Sequence, residues 1–198
     1  MGKKLYISDW HYGHKRVIEY DGRPFSDVDQ MEGELIRRWN SAVSSNDTVY
    51  VLGDMFWCTP AKAIPILKNL NGRIVLIKGN HDKIDNAGFK NQFADIVDYA
   101  EIHDSYKGIE RNLVLCHYPI PCFKNHTHGW IHLYGHVHNS SEWNMVERWR
   151  DEISASYGKA HEMVNVGAMM PYVDYIPRTL DEIIDGYHQF KGGVNIDI

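Results

Sequence analysis

The chain has 198 residues, of which 43% are hydrophobic, 12% aromatic and 24% charged, and these proportions exclude disordered and collagen-like proteins. Its 21 Lys and Arg against 26 Asp and Glu leave a formal net charge of -5, which argues against a nucleic-acid polymer as partner. A chain of this length can bury one sizeable core, so we expect a single domain over residues 1–198.

Short apolar runs alternate with segments of helical period in the first part of the chain. Strands are predicted at residues 4–7, 48–52, 73–77 and 112–116. Ser26 is the predicted N-cap of a helix whose apolar residues continue to Val43 at helical spacing. A second helix is predicted to begin at Thr59 and Pro60 and to close at residues 71–72. This alternation indicates α/β packing with a sheet that is at least partly parallel.

The second part of the chain is less regular. Strands are predicted at residues 96–103, 130–134 and 163–166, and a terminal helix at residues 180–187. Residues 118–129 contain two prolines and a closing glycine, and this composition predicts a loop over a site or over a sheet edge. His126, His128 and Trp130 are therefore open to two interpretations, packing over that edge or covering a ligand.

Cysteine content and hydropathy indicate the setting of the protein. The three cysteines form no C-x-x-C pair, which is typical of a reducing compartment. No apolar stretch approaches the roughly 18 residues that a membrane span needs. We therefore expect a cytoplasmic protein without a membrane partner, and nothing in the sequence indicates its oligomeric state.

Polar motifs follow five of the predicted strands. They are Ser8-Asp9-Trp10-His11, Leu52-Gly53-Asp54, Lys78-Gly79-Asn80-His81-Asp82, Cys116-His117-Tyr118-Pro119 and Tyr134-Gly135-His136-Val137-His138. Each motif alone has an ordinary explanation as a turn, a helix cap or a hydrogen-bonded core residue. Because ligands of open α/β sheets bind beyond the carboxyl ends of the strands, we expect these side chains to converge. Carboxylate, carboxamide and imidazole ligands without thiolate favour Mn, Fe, Zn, Ni or Mg over a structural zinc site.

Taken in chain order, these motifs resemble those of the calcineurin-like metallophosphoesterase superfamily. The similarity covers D-x-H at Asp9, G-D at Asp54, G-N-H-D at residues 79–82, the histidine at His117 and G-H-x-H at His136. Further segments, such as residues 8–14, 23–25, 165–167 and 176–182, are similar to a small single-domain bacterial and phage-type branch. The resemblance implies the metallo-dependent phosphatase fold, a four-layer α/β/β/α sandwich of two mixed sheets flanked by helices.

The resemblance also implies a dinuclear centre of two divalent metal ions, which are Mn, Fe, Ni or Zn, with Mg also compatible. It assigns one ion to Asp9, His11, Asp54 and His138, and the second to Asp54, Asn80, His117 and His136. Asp54 would bridge the two ions, and a bridging hydroxide would be the nucleophile. Two divalent ions less two carboxylates and one hydroxide leave a charge of +1, which suits a small anionic phosphoester substrate.

Four further residues are candidates for contact with that substrate. His81 follows the implied ligand Asn80 on the same turn, so we expect it to act as general acid on the leaving oxygen. Asp82 either orients His81 or is an ordinary loop carboxylate. His14 and Arg23 are candidate substrate contacts, with a surface or supporting histidine and a solvated charge as the respective alternatives.

The predicted function is hydrolysis of a phosphodiester, because a diester monoanion already matches a +1 site whereas a monoester dianion would need further cations. A phosphomonoesterase acting on a small metabolite is the first alternative. A second is a non-catalytic scaffold that uses this fold to bind a protein partner, although His81 and the whole ligand set are intact. Asp54 is followed by Met-Phe-Trp rather than by the x-x-D-R-G of protein Ser/Thr phosphatases, which argues against that activity.

Overall fold

The computed structural model describes residues 2–192, which form two four-stranded sheets and six helices. The strands are β1 (Lys4–Ile7), β2 (Thr48–Val51), β3 (Arg73–Ile77), β4 (Asp95–Val97), β5 (Tyr99–Tyr106), β6 (Ile109–Cys116), β7 (Ile131–Tyr134) and β8 (Met163–Asn165). The helices are α1 (Val17–Asp21), α2 (Val28–Ala42), α3 (Pro60–Asn69), α4 (Ala87–Lys90), α5 (Ser141–Tyr157) and α6 (Leu180–Phe190). None of these helices, within the described part of the chain, is long and apolar enough to cross a membrane.

The two sheets pack face to face between outer layers of helices. The first has the order β1-β2-β3-β4 with parallel pairings, and an isolated antiparallel bridge between Tyr6 and Arg178 lies beside β1. The second has the order β5-β6-β7-β8, antiparallel between β5 and β6 and parallel elsewhere. The predicted four-layer α/β/β/α sandwich is confirmed.

Three apolar clusters hold these layers together. One packs α2 and α3 against the outer face of the first sheet, and it includes the fully buried Trp39. A second fills the space between the sheets and is closed by α6. The third lies between the second sheet, α5 and the loop at residues 118–130, where Phe123 is buried. Burial of apolar area on both faces of both sheets is the main stabilisation of the sandwich.

Several predicted boundaries differ from the structure for identifiable reasons. The N-cap of α2 is Asp27, whose carboxylate accepts a hydrogen bond from the backbone N–H of Gln30, so the predicted cap at Ser26 is wrong by one residue. Thr59 does occupy the N-cap position of α3, but its side chain makes no capping hydrogen bond. The terminal helix extends to Phe190 and begins with a capping box between Thr179 and Glu182.

The largest differences are in the second part of the chain. The strand predicted at residues 96–103 is two strands in different sheets, because the chain crosses from β4 to β5 at Asp98. Helix α5 was not predicted, since most of its surface is exposed and only Val146 and Glu147 are buried. Residues 118–129 form the predicted loop, with a short 3₁₀ turn at His126–His128.

The two sheets are joined where β1 and β8 end. Ser8 donates its backbone N–H to the carbonyl of Val166, and Ala168 donates to the carbonyl of Ser8. The turns that follow β1, β2, β3, β6 and β7 lie at this end of the sandwich. The fold therefore brings the five polar motifs together at one edge.

Candidate metal centre

The structure brings together the seven side chains that the sequence motifs singled out as ligands. Two groups in it have the spacing of a metal-binding set, with donor atoms all within 4.8 Å of one another. The first consists of Asp9, His11 and His138, and the second of Asp9, Asp54 and His117. Asn80 and His136 complete the cluster through contacts of the Asn80 amide oxygen.

Around Asp9, three potential metal-ligating atoms lie close together. Asp9 Oδ1 is buried, forms no hydrogen bond, and lies 3.3 Å from Nε2 of His138. Nε2 of His11 lies 3.2 Å from the same His138 nitrogen. Nδ1 of His138 is 2.6 Å from a carboxylate oxygen of Asp21, which only accepts, so His138 Nδ1 carries the proton. When this imidazole is neutral, its Nε2 lone pair points into the cluster.

The second group shows the same arrangement around His117. Its Nδ1 donates to the carbonyl of Leu52 at 2.7 Å, which leaves Nε2 as an acceptor in the neutral ring. That Nε2 lies 3.0 Å from the amide oxygen of Asn80 and 3.6 Å from Asp54 Oδ2, and both of these atoms are acceptors too. Acceptors at such distances repel unless a proton or a metal cation lies between them. The amide oxygen of Asn80 is also 3.1 Å from Nδ1 of His136.

The backbone at these residues is strained in a way that is typical of functional sites. Five of the seven predicted ligands have left-handed φ values between 50° and 71°, namely Asp9, His11, Asp54, His136 and His138. Such conformations persist only where surrounding contacts fix them. Here His11 donates its N–H to the carbonyl of Asp54, and His136 donates its N–H to Asp9 Oδ2.

Two glycines allow the motif loops to approach so closely. A Cβ on Gly53, which has φ +88°, would lie 2.3 Å from Nδ1 of His117. A Cβ on Gly135 would lie 1.9 Å from the hydroxyl of Ser8 and 2.4 Å from Asp9 Oδ2. Side chains at either position would displace the ligands.

The charges within the cluster favour positive charge beside Asp9. Burial lowers the pKa of His11 to about 3, so its imidazole is neutral. Burial alone would raise the pKa of Asp9, but His138 outweighs it and holds the pKa of this carboxyl below its usual range. Burial opposes the charge on His138, yet the hydrogen bond to Asp21 and the negative charge of Asp9 raise its pKa to about 10. The cluster therefore attracts positive charge, which a divalent ion would also provide.

Asp21 supports this centre and was missed from the sequence. One of its oxygens accepts from His138, and the other accepts from the Arg23 guanidinium, both Nε and an Nη, at 2.9 Å. The Asp-Gly-Arg turn offered a weak signal, since two charges so close in sequence often form a pair. Asn165 braces the same loop by donating its side-chain amide to the carbonyl of His138.

The structure does not place Arg23 where a substrate could contact it. Its side chain is fully buried and donates to the backbone carbonyls of Asp9 and Trp10 as well as to Asp21. The predicted alternative of a solvated charge does not hold either. Arg23 instead fixes the strained turn that follows β1.

His81 and Asp82 have separate environments. The His81 side chain is 43% exposed, with Nε2 3.9 Å from Asp54 Oδ2, and its backbone N–H donates to Asp54 Oδ1. The Asp82 carboxylate accepts from the backbone N–H groups of Asp54, Met55 and Gly79. Its contacts are those of a loop carboxylate that ties β2 and β3 together, and burial raises its pKa.

A cavity of about 720 Å³ opens above the cluster. His14 lines it, and its ring stacks on the indole of Trp57 with centroids 4.1 Å apart. Burial lowers the pKa of His14. Lys15 and Arg16 form part of the rim and are exposed. Trp57 was not singled out from the sequence, because its exposure at the wall of this cavity arises only in the folded structure.

Tyr118 packs its ring against His117 and His136, whereas the rest of the loop at residues 118–130 packs against the second sheet. Phe123 is buried there, and His126 lies against it and against His161. Trp130 is packed against the same apolar cluster. His126, His128 and Trp130 do not line the cavity above the metal cluster, so the packing interpretation is the one that the structure supports.

The sequence of the chain matches the model of a known protein family. The model of the calcineurin-like phosphoesterase family matches residues 3–176, which is most of the chain and includes all seven predicted ligands. A crystal structure of a protein of unknown function from Aquifex aeolicus is similar, with a TM-score of 0.67 and 25% identity. The similarity covers 93% of this chain and 99% of that one.

Relatives in sequence come from an archaeon and from phages. An uncharacterized protein of Methanocaldococcus jannaschii is 34% identical over 186 residues, which cover 92% of this chain and 90% of that protein. The gene 66 protein of Mycobacterium phage D29 is 29% identical over 164 residues, covering 70% and 80% of the two chains. The gene 66 protein of Mycobacterium phage L5 is 36% identical over 85 residues, 41% of each chain.

Proposed function

This chain belongs to the calcineurin-like phosphoesterase family, and we propose on that basis that it hydrolyses a small phosphodiester with the help of two divalent metal ions. The observation that carries the proposal is the convergence of acceptor atoms at one sheet edge. Asp9 Oδ1, buried and without a hydrogen bond, and His117 Nε2, 3.0 Å from another acceptor, fit a site that is completed by cations.

The contacts within the cluster support a division of the ligands between the two ions. Asp9, His11 and His138 would hold one ion, and Asn80, His117 and His136 the other, with Asp54 between them. Oxygen and imidazole donors without thiolate suit Mn, Fe, Ni, Zn or Mg. Two such ions, when bound, would offset phosphoryl charge and lower the pKa of water toward neutrality.

His81 would act as the general acid. In the reaction, the oxygen of water bonds to phosphorus, the bond from phosphorus to the leaving oxygen breaks, and the protonated His81 ring gives its proton to that oxygen. The proton lost by water passes to solvent, and solvent returns a proton to His81 for the next turnover. The exposed His81 ring faces the cavity while its backbone is fixed to Asp54, so it can reach substrate without being a ligand. We assign Asp82 to holding this turn rather than to orienting the His81 ring.

The choice of a diester depends on charge near the site. The buried Arg23 is committed to backbone carbonyls and Asp21, so it adds no cation to the phosphate pocket. Lys15 and Arg16 on the rim favour a second candidate, a phosphomonoesterase, because a dianion would gain from them. We also propose a cytoplasmic location, since the three cysteines are free thiols.

The test compares His81→Ala with wild type after loading with Mn²⁺. We expect two metal ions per chain in both proteins, and a loss of turnover of about 10²-fold or more for esters with poor leaving groups. His103→Ala, which replaces an exposed histidine on β5, is the matched control and should keep full activity.

The relative rates on bis-p-nitrophenyl phosphate and p-nitrophenyl phosphate decide between diester and monoester. Undiminished hydrolysis of alkyl phosphoesters, which have poor leaving groups, by His81→Ala would contradict the role of His81. Failure of the metal-loaded wild type to hydrolyse either ester would favour the non-catalytic scaffold, and the proposal of an enzyme would be wrong.

A further inference from the structure

A second cavity adjoins the metal centre and shares two of its walls. It has a volume of about 440 Å³, and Trp57 and His81 line both it and the larger cavity above the metal ligands. We call this second cavity the aromatic cleft, and its lining includes Phe56, Trp57, Thr59, His81, Lys83 and Phe89. A volume of this size lies within the range of small-molecule pockets.

The walls of the aromatic cleft are flat and mostly apolar. Phe56 and Phe89 pack edge to face with ring centroids 6.0 Å apart and are almost completely buried, so they form a firm floor. Trp57 is 42% exposed, and its ring is held by stacking on His14 and by contact with His81. Rigid aromatic walls of this kind bind flat rings by stacking and by apolar contact.

The lining of the cleft also includes polar groups, among them Thr59 and Lys83. The Thr59 hydroxyl makes no capping hydrogen bond although it begins α3, and Lys83 is exposed. A few polar groups around an apolar slot are the usual means by which a pocket fixes the orientation of a ring. These groups are available to the ring nitrogens, exocyclic groups or hydroxyls of a ligand.

The position of the cleft defines which part of a substrate would enter it. His81 stands between the cavity that would hold the phosphoryl group and the cleft. The group that receives a proton from His81 is the leaving oxygen, so the leaving group lies on the side of the cleft. This step rests on the proposed function, since it uses the role of His81 as acid.

We propose that the aromatic cleft binds a flat aromatic ring carried by the leaving group of the phosphoester, and that Trp57 determines this specificity. Two sources of such a ring share the required chemistry, a nucleoside and a phenolic aryl group. Either places its ring against Trp57 and its ester oxygen next to His81.

The experiment measures Trp57→Ala and Trp57→Phe in the Mn²⁺-loaded protein against three diesters. These are 2′,3′-cyclic AMP, bis-p-nitrophenyl phosphate and glycerophosphoethanolamine, which bears no ring. We expect the ratio of kcat/KM for a ring-bearing diester over the ring-free diester to fall about 10-fold or more in Trp57→Ala, mainly through KM, and less in Trp57→Phe. The first two substrates distinguish the nucleoside from the aryl source. Trp149→Ala, which removes a tryptophan of similar exposure from α5, should leave the ratio unchanged.

A binding measurement separates failure of this inference from failure of the proposed function. Adenosine and p-nitrophenol are titrated into metal-free wild type, Trp57→Ala and Trp149→Ala by calorimetry. Weaker binding of either compound to Trp57→Ala alone supports the cleft even if no ester is hydrolysed. An unchanged substrate ratio, or ring binding that does not depend on Trp57, would overturn the inference while leaving the phosphoesterase proposal intact.

Discussion

The contact between Asp21 and His138 leads to a quantitative prediction about metal affinity. Asp21 accepts a 2.6 Å hydrogen bond from His138 Nδ1, and this contact fixes the ring so that Nε2 faces Asp9 and His11. Loss of a carboxylate that orients a metal-binding histidine costs 10- to 100-fold in metal affinity. Asp21→Asn should therefore raise the Kd for one of the two ions by that factor, equivalent to about 1.4 to 2.7 kcal/mol.

The same substitution has a separate cost in stability. Asp21→Asn leaves the buried Arg23 guanidinium without its carboxylate, which costs about 3 to 5 kcal/mol. Urea denaturation of the metal-free protein measures this loss, and Mn²⁺ titration by calorimetry on folded protein measures affinity. The control is Asp174→Asn, which breaks an ion pair with Arg38. The carboxylate of Asp174 is 52% exposed. This substitution should cost less than about 1 kcal/mol and leave both ion affinities unchanged.

Binding of both ions with the wild-type Kd by folded Asp21→Asn would contradict this role of Asp21. Equal weakening of metal binding by Asp174→Asn would contradict it too, because the effect would then be a general consequence of lower stability.

Further predictions concern close packing and pH. Gly135→Ala should abolish binding of the ion near Asp9, because the new Cβ would overlap the Ser8 hydroxyl. Titration with Mn²⁺ measures this binding, and a variant that still binds two ions would contradict the prediction. Gly33→Ala, in α2 with open space around the new Cβ, should instead stabilise the protein by about 0.5 to 1 kcal/mol in thermal denaturation. Burial lowers the pKa of His132 to about 4, so between pH 6.5 and 4 only the unfolded chain takes up this proton. Stability should therefore fall by about 3 kcal/mol as the pH drops through that window. Urea denaturation at pH 7 and pH 4.5 should show a smaller difference for His132→Gln than for wild type or His103→Gln, and equal differences in all three would contradict the assignment.

Much of the fold could be predicted because local signals agreed with the packing. Residues 74–77 of β3 form a continuous apolar run, and α2 has buried residues at four-residue intervals. Helix α5 lacks such a stripe, and its signals were confined to the ends, Ser140 as N-cap and Gly158 in a left-handed conformation. No glycine or proline marks the crossing at Asp98, so the pattern of residues 96–103 continued from one sheet into the other.

The centre could be predicted to the extent that its residues follow strands. Parallel strands end at one edge, so the polar residues after them had to meet. The environment of a charged side chain is set by tertiary contacts instead. Arg23 was expected near substrate or in solvent, yet it is buried against backbone carbonyls, and its partner Asp21 carried no distinctive spacing. The position of Trp57 in a cavity wall likewise could not be predicted, because that cavity forms only when β2 and β3 lie side by side.

The central claim is that seven side chains at one sheet edge hold two divalent metal ions. Anomalous diffraction from crystals grown with Mn²⁺ tests it most directly. We predict two peaks, one among Asp9, His11 and His138 and the other among Asn80, His117 and His136, with Asp54 in contact with both. A single peak, or peaks away from these residues, would contradict the account.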